Sequence, residues 1–286
     1  AFPPHPKGWG FQAEDFMKRP TRLPLVVLSA LILCTACADA LILPAPGTPS
    51  PPSPSPTPSP TPEPKTLAVC LLEEPDSLYL YGTDNSAAHH VWEAIYDGPT
   101  DSRDYGYQPV LLTELPSLES STASVRTTSV QAGDRVLTAS GGVMDLAPGV
   151  LVENAGGERV AFDGDPVLMQ QMVVTFTIRS GVRWSDGEPL TADDSVYSFQ
   201  LAADPTTPTD KVVVERTGDY RALDERTVVW QSTPGFLDPG YALNFWHPLP
   251  RHTQNGRSAA EILTAETTTK EPVGWGPFVI REWVPA

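Results

Sequence analysis

The sequence predicts a mixed α/β fold, and three neighbouring signals between residues 173 and 205 carry that prediction. In residues 173–178 every second side chain is a large apolar one, which is the period of a strand with one buried face. The set that would face the core is Val174, Phe176 and Ile178. Residues 185–187 read Ser-Asp-Gly, a combination typical of a tight turn. A helix follows, so strand, turn and helix form one unbroken run.

The predicted helix has both a start signal and an end signal. Thr191 stands three residues before Asp194, which is the spacing of a capping box. The apolar face is predicted to contain Val196, Phe199 and Ala203. The Asp-Pro pair at 204–205 ends the helix. Asp193 and Asp194 are interpreted as favourable charges at a helix N-terminus, in preference to catalytic groups.

Two segments resemble signatures of the solute-binding proteins of the peptide and nickel class, the extracytoplasmic receptors of ABC importers. Residues 175–199 share with them a strand, an arginine, a glycine, an aromatic residue, Ser-Asp-Gly and Pro-Leu-Thr-Ala-Asp-Asp before a helix. Residues 273–280 are similar to the family's Gly-x-Gly-Pro-aromatic element, with Trp275 in place of the commoner small hydroxyl residue. The resemblance implies an α/β fold, the periplasmic-binding-protein-like two-lobed clamp with an extra β-rich subdomain, which binds ligand without breaking bonds.

The resemblance also implies an organisation for the folded part of the chain. Residues 66–275 are expected to form the first lobe, with a β-rich excursion at about 117–171, and residues 276–286 to begin the crossover to a second lobe. Only the first lobe is expected in this sequence, which ends where the family would enter its second. Glycine-containing pairs at 133–134, 141–142 and 156–157 predict the hairpins of the excursion.

The start of the lobe is predicted to be a strand and then a helix. Residues 67–72 form a continuous apolar run, which predicts a buried strand with Cys70 as a core thiol. The helical stripe that follows is Ala88, Val91, Trp92 and Ile95. His89 and His90 are adjacent, so they point apart on a helix and make a poor metal chelate. The Asp-Gly-Asp run at 163–165 lacks the ligand spacing of an EF-hand, so a plain turn is expected and no metal site is predicted.

Six residues are candidate ligand contacts: Glu74, Tyr241, Phe245, Trp246, Trp275 and Gly276. Glu74 falls where peptide-binding members of the family carry an acidic or polar residue, and a carboxylate there can pair with an ammonium group. The aromatic candidates offer flat apolar walls, although core packing explains them equally well. Glycine at 276 permits close backbone approach near a hinge. His252, in a later Pro-basic-His run, is expected to be a structural hydrogen-bonding residue.

The composition excludes several classes of function. A net charge of -16, from 19 Lys and Arg against 35 Asp and Glu, disfavours nucleic-acid binding because phosphate contacts need clustered cations. The sequence contains no Gly-x-Ser-x-Gly, no His-Glu-x-x-His and no phosphate loop. The family resemblance implies a non-enzymatic protein without a cofactor, and the absence of these motifs is consistent with that implication.

The first 65 residues predict export and a stalk. Met17 precedes a basic stretch and the apolar run 23–33, so residues 17–36 are interpreted as a signal peptide and residues 1–16 as non-native upstream translation. The run ends in a box similar to a lipoprotein cleavage site, with Cys37 as the lipidated residue, although Cys34 occupies the usual aliphatic position. An ordinary secreted protein or an uncleaved signal are the alternatives. Residues 37–65 are interpreted as a lipid-anchored linker, extended because proline dominates positions 44–64.

Together these features predict a substrate-binding lipoprotein on the outer face of the cytoplasmic membrane, in a periplasm or at the cell surface. It would capture di- or oligopeptides and deliver them to the permease subunits of an ABC importer. Peptide is preferred because it is the commonest substrate class of the family. Another solute of the family, such as an oligosaccharide, a nickel chelate or an opine, is one alternative. A stalked surface lipoprotein that acts as an interaction module is another.

Overall fold

A four-stranded antiparallel sheet forms the centre of the computed structural model, which describes residues 66–284. The predicted signal peptide, Cys37 and the proline-rich linker lie outside the described residues. In chain order the elements are α1 (Ser86–Ile95), β1 (Thr100–Arg103), β2 (Gly106–Pro109), β3 (Ala123–Val130), β4 (Arg135–Leu137), β5 (Val143–Asp145), β6 (Leu151–Glu153), β7 (Arg159–Ala161), β8 (Val167–Thr177), α2 (Ala192–Ala203), α3 (Val212–Glu215), β9 (Thr217–Ala222), β10 (Thr227–Ser232), α4 (Ala259–Ile262) and α5 (Glu266–Thr269).

The predicted strand at 173–178 is confirmed as the end of the long strand β8. The sheet order is β3-β8-β10-β9, so β8 and β10 are the two central strands. Val174, Phe176 and Ile178 are fully buried, which confirms the face assigned from their alternation. They belong to the main core, which also contains Trp230 of β10 and Trp92 of α1.

Helix α2 begins as predicted, but its buried face differs. The Asp194 carboxylate accepts a hydrogen bond from the Thr191 backbone N–H at 2.9 Å, which confirms the capping box. The residues that the helix buries are Ala192, Asp194, Ser195, Ser198, Leu201 and Ala202, whereas Val196 and Phe199 are half-buried and Ala203 is exposed. The predicted apolar face is therefore wrong at Ala203. The reason is that small serines face the sheet, where Ser195 Oγ bonds the Tyr220 hydroxyl at 2.7 Å.

The C-terminal end of α2 is closed by a lysine. Lys211 Nζ donates hydrogen bonds to three backbone carbonyls, those of Ala202, Asp204 and Thr207. Carbonyls in the last turn have no partner within the helix, and a cation there also complements the helix dipole.

We expect Lys211→Met to lower the free energy of unfolding by about 1–2 kcal/mol, because it removes charge-assisted bonds to partly buried carbonyls while keeping most of the apolar stem. Urea unfolding followed by tryptophan fluorescence measures this. Lys270→Met is the matched control, since Lys270 makes only an exposed pair with Glu266 at 3.1 Å. The loss of unfolding free energy in Lys270→Met should be below about 0.5 kcal/mol. Equal effects of the two variants would contradict the assignment.

The predicted buried strand at 67–72 is wrong. Leu67 is 85% exposed and Leu72 is 104% exposed, and Cys70 is an exposed free thiol. An apolar run becomes a buried strand only when a neighbouring strand satisfies its backbone. None of the sheets in residues 66–284 includes this run.

The predicted helix after this run is confirmed as α1. Asn85 caps it, its side-chain oxygen accepting from the Ala88 N–H at 3.1 Å. Trp92 Nε1 donates to the Leu78 carbonyl at 2.9 Å, which attaches the helix to the preceding segment. His89 and His90 are exposed. No helix within residues 66–284 is long and apolar enough to cross a membrane.

Between residues 117 and 171 the structure has β3, the start of β8 and two antiparallel hairpins, β4–β5 and β6–β7. They enclose a small core of their own: Val130, Val136, Leu146, Val152, Phe162 and Met169. Asp163 Oδ1 accepts from the Asp165 N–H at 3.1 Å, so the run 163–165 is a turn, as predicted. In the described part of the chain no group of His, Cys, Asp and Glu has the arrangement of a metal site.

Candidate functional site

The Gly-x-Gly segment lies directly against the end of helix α1. The Gly276 N–H donates to the Ile95 carbonyl at 2.8 Å. A Cβ added to Gly274 would stand 1.9 Å from the same carbonyl oxygen, and one added to Gly276 would stand 2.7 Å from that of Ala94. On the other side, the Gly274 carbonyl accepts from the Ser185 N–H at 2.8 Å. The close backbone approach predicted for these glycines is therefore present, and it holds α1 against the turn after β8.

Trp275 lies within a cluster of rings. Its ring centroid is 5.2 Å from that of Tyr96, 5.3 Å from that of Trp184 and 4.6 Å from that of His247. Trp275 as a residue is half-buried, and its indole Nε1 is buried. His247 Nε2 is enclosed, and burial lowers the pKa of His247 to about 3, which keeps the imidazole neutral. Trp275 thus packs among three other rings at a half-buried position.

Glu74 is brought to the same chain segment by a tryptophan that sequence reasoning missed. Trp283 Nε1 donates to Glu74 Oε1 at 2.8 Å; Glu74 is exposed and Trp283 is half-buried. Nearby in the sequence, Phe278 and Val279 are 64% and 62% exposed. Glu74, Trp275 and Gly276 are therefore connected through residues 275–283.

The other three candidate contacts lie elsewhere. Phe245 is 5% exposed and packs on Phe176 with ring centroids 5.5 Å apart, which favours a core role. The Trp246 backbone N–H donates to the Tyr220 hydroxyl at 2.9 Å and its carbonyl accepts from Ser195 Oγ of α2, so this residue helps to hold α2 on the sheet. The Tyr241 hydroxyl accepts from the Leu118 N–H at 3.2 Å. Within residues 66–284 the ring contacts of Trp275 are with Tyr96, Trp184 and His247, and not with these three residues.

His252 makes the structural hydrogen bond expected of it. Its Nε2 lies 2.7 Å from Asp186 Oδ2, in the Ser-Asp-Gly turn. Burial is the largest single influence on the pKa of Asp186 and raises it, but hydrogen bonds from His252 and from the Glu188 N–H together outweigh burial and hold the pKa below its ordinary value. The pair connects the turn after β8 to the short 3-10 helix Arg251–Thr253.

This pair predicts part of the acid dependence of stability. Because the folded-state pKa of Asp186 is depressed, its contribution is present above the unfolded value of 3.8 and is lost as the pH falls through the folded value. We expect Asp186→Asn to make the fall in unfolding free energy on acidification below about pH 5 shallower than in the unaltered chain. Urea unfolding at a series of pH values checks this. Parallel curves for both chains would contradict the prediction.

A separate cleft of about 470 Å³ lies between this turn, the start of α2 and residues 251–257. Its charged lining has both signs and includes Glu188, Asp193, Arg251 and Arg257. It contains none of the six predicted ligand contacts. Glu74, Trp275 and Gly276 remain the candidate ligand-binding surface, and both its continuity and its role in binding stay predictions.

Comparison with known proteins connects this arrangement to a family. Residues 170–286 match the family described as bacterial extracellular solute-binding proteins, family 5 middle. Protein XP55 of Streptomyces lividans is 34% identical over 111 residues, which cover 38% of this chain and 19% of that protein. The periplasmic oligopeptide-binding protein OppA of Escherichia coli (strain K12) is 37% identical over 84 residues, or 28% of this chain and 15% of that protein. Each match thus covers a fifth or less of the relative's length.

A solved structure shows the same fold over a longer stretch. The oligopeptide-binding protein of Thermus thermophilus, complexed with a pentapeptide, matches 74% of this chain and 34% of its own chain, with a TM-score of 0.51 and 17% sequence identity. The α/β fold implied by the sequence resemblance is confirmed, with a coverage consistent with one lobe of the clamp. Residues 170–286 are therefore similar to family 5 of the bacterial extracellular solute-binding proteins.

Proposed function

We propose that this protein captures peptides outside the cytoplasm as the substrate-binding component of an ABC importer. The observation that carries the proposal is the family match over residues 170–286, together with relatives named as oligopeptide-binding proteins. The fold shared with a receptor holding a pentapeptide supports the same substrate class. Such receptors bind and release solute, so no catalytic group is assigned.

Within this proposal, Glu74 recognises the positive end of the ligand. Its carboxylate is exposed, and the Trp283 indole N–H fixes one of its oxygens at 2.8 Å. A carboxylate has several acceptor sites, so it can receive further charge-assisted hydrogen bonds from a peptide ammonium group. Trp275 would provide an apolar wall for the ligand, at little entropic cost because its ring already packs among neighbouring rings.

The Gly274 and Gly276 contacts give the proposal a mechanical basis. A ligand moves a two-state equilibrium only through contacts that differ between the states. Residues 276–286 would lead to the second lobe, and the anchoring of Gly276 on Ile95 would provide a fixed base for hinge closure. The closed form would then dock on the permease subunits.

We further propose that Cys37 anchors the protein by a lipid to the outer face of the cytoplasmic membrane, and that residues 37–65 space the binding domain from it. The sequence around Cys37 and the proline content support this. Expression of Cys37→Ala in a bacterial host, followed by membrane fractionation, tests it. Release of this variant into the soluble extracytoplasmic fraction is expected, and membrane retention equal to that of the unaltered protein would contradict it.

Peptide binding is tested by titrating the protein, expressed from its complete reading frame, with di-, tri- and pentapeptides while recording tryptophan fluorescence or heat. A mannose oligosaccharide and a nickel–histidine chelate serve as competing solutes. Saturable binding of peptides only is the expected result. Binding of a competing solute without peptide binding would overturn the proposed substrate class.

The role of Glu74 is tested by comparing peptides that have a free or an acetylated N-terminus. N-terminal acetylation removes the ammonium charge of a peptide, so we expect the unaltered protein to bind the acetylated form about tenfold more weakly, which corresponds to about 1.4 kcal/mol. Glu74→Gln should reduce this discrimination to nearly none. Glu73→Gln, at the neighbouring exposed position, is the matched control. Undiminished discrimination by Glu74→Gln would remove Glu74 from the site.

A further inference from the structure

A small cavity lies inside a core that is distinct from the candidate ligand-binding surface. This core comprises Tyr79, Leu201, Leu249, Ala259 and Ile262. The cavity has a volume of about 10 Å³ and is also lined by Tyr197 of α2 and by Gln254. It therefore lies where the segment before α1, helix α2, residues 249–254 and helix α4 meet.

Three of the residues that line the cavity each carry a polar side-chain atom that is buried without a hydrogen-bond partner among residues 66–284: Tyr79 Oη, Tyr197 Oη and Gln254 Oε1. Tyr79 and Gln254 are only 2% and 3% exposed, so bulk water does not reach them. Burying a polar group without a partner is costly, and native interiors rarely leave such groups unpaired. Three of them around one cavity call for a shared partner.

The orientation of Gln254 is set independently of the cavity. Its Nε2 donates to Thr253 Oγ1 at 2.7 Å, which assigns the side-chain nitrogen to that bond and leaves the oxygen as an acceptor. The two tyrosine hydroxyls can each donate a hydrogen bond. The lining therefore offers two donors and one acceptor, a set that a single water molecule can satisfy by accepting twice and donating once.

We propose that this cavity is a binding site for one ordered water molecule, held by Tyr79, Tyr197 and Gln254. The volume fits the space that one water needs, and internal waters in proteins typically make about three hydrogen bonds. The water connects three segments that are far apart in the sequence, so it acts as a polar link between the start of the lobe, α2 and the loop after Leu249.

A crystal structure that resolves ordered solvent tests the site directly. We expect a single solvent peak within hydrogen-bond distance of all three polar atoms. A cavity without density there would overturn the proposal. So would xenon density after pressurisation with the gas, because dry apolar cavities bind xenon whereas a hydrated one does not.

The direction in which deleting a hydroxyl changes the folding equilibrium constant gives a second test. If the water is present, Tyr79→Phe removes a bond to it and should lower the folding equilibrium constant about fivefold. If the cavity is dry, the same change removes an unpaired hydroxyl and should leave the constant unchanged or raise it. Tyr81→Phe is the matched control, because the Tyr81 hydroxyl bonds Ser198 Oγ directly at 2.6 Å and its deletion should lower the constant in either case.

A double-mutant comparison of two lining residues shows whether both bond one shared water or make independent contacts. We expect Tyr79→Phe combined with Tyr197→Phe to cost less than the sum of the two single changes, because both act on one water. Strict additivity would overturn the shared site even if each single change were destabilising.

Discussion

Gly274→Ala is expected to lower the free energy of unfolding by roughly 3 kcal/mol or more. The new methyl carbon would stand 1.9 Å from the Ile95 carbonyl oxygen and 2.8 Å from the Ile95 carbonyl carbon. Both are backbone atoms, so no flexible side chain can move aside. Relief requires the 273–278 segment to leave helix α1, which breaks the 2.8 Å bond from the Gly276 N–H to Ile95.

Urea unfolding followed by tryptophan fluorescence measures this loss. Gly142→Ala is the matched control, since its Cβ would approach nothing closer than Thr138 Oγ1 at 3.9 Å. That variant should be neutral or slightly stabilising, by up to about 1 kcal/mol, because alanine restricts the unfolded chain. A Gly274→Ala protein as stable as Gly142→Ala would show that the segment does not lie against α1.

Asp194→Ala is expected to lower the free energy of unfolding by about 2–4 kcal/mol. The Asp194 side chain is buried and accepts from the Thr191 N–H at 2.9 Å, from Trp184 Nε1 at 3.3 Å and from the Arg251 N–H at 3.3 Å. One carboxylate thus joins the start of α2 to the turn after β8 and to the loop before α4. Its removal leaves several donors without an acceptor.

Asp193→Ala is the matched control for this change, because Asp193 is exposed and lies in the same helical turn. It should cost no more than about 0.5 kcal/mol, the size of a surface helix-dipole effect. Burial raises the pKa of Asp194 despite its hydrogen bonds, so its proton-linked stabilisation is present below its unfolded pKa and lost as the pH rises through the folded value. Asp194→Ala should therefore steepen the fall in unfolding free energy on acidification, the opposite of the effect expected for Asp186→Asn.

Equal losses of unfolding free energy in Asp193→Ala and Asp194→Ala would contradict the role of the Asp194 carboxylate as a shared hydrogen-bond acceptor.

Short-range sequence patterns correctly predicted those elements whose structure depends on neighbouring residues in the chain. The end of β8 and the start of α2 are specified by alternation and by the Thr191–Asp194 spacing, and both are confirmed. The buried face of α2 was partly missed because Ser195 is buried through the Tyr220 hydroxyl, a partner 25 residues away. Residues 67–72 were misassigned because hydrophobicity specifies burial only when a partner strand exists.

The sequence predicted the close backbone approach at the glycines of the candidate site, but it did not predict which side chains contact one another there. Two glycines around an aromatic residue indicate close backbone approach, and the structure has it at Gly274 and Gly276. The contact between Glu74 and Trp283 joins positions 209 residues apart, so no local pattern contained it. His247, in contrast, belongs to the run of ring-bearing residues 245–247, which was a visible signal for its ring cluster with Trp275.

The most direct test of peptide capture is to identify the solute that the protein carries. The protein would be expressed from its complete reading frame in its source cells, purified without denaturation and then unfolded, and the released small molecules would be sequenced by mass spectrometry. Peptides released in near-stoichiometric amount, and absent from a mock purification, are the predicted result. An oligosaccharide, an opine or a metal chelate in their place would contradict peptide capture.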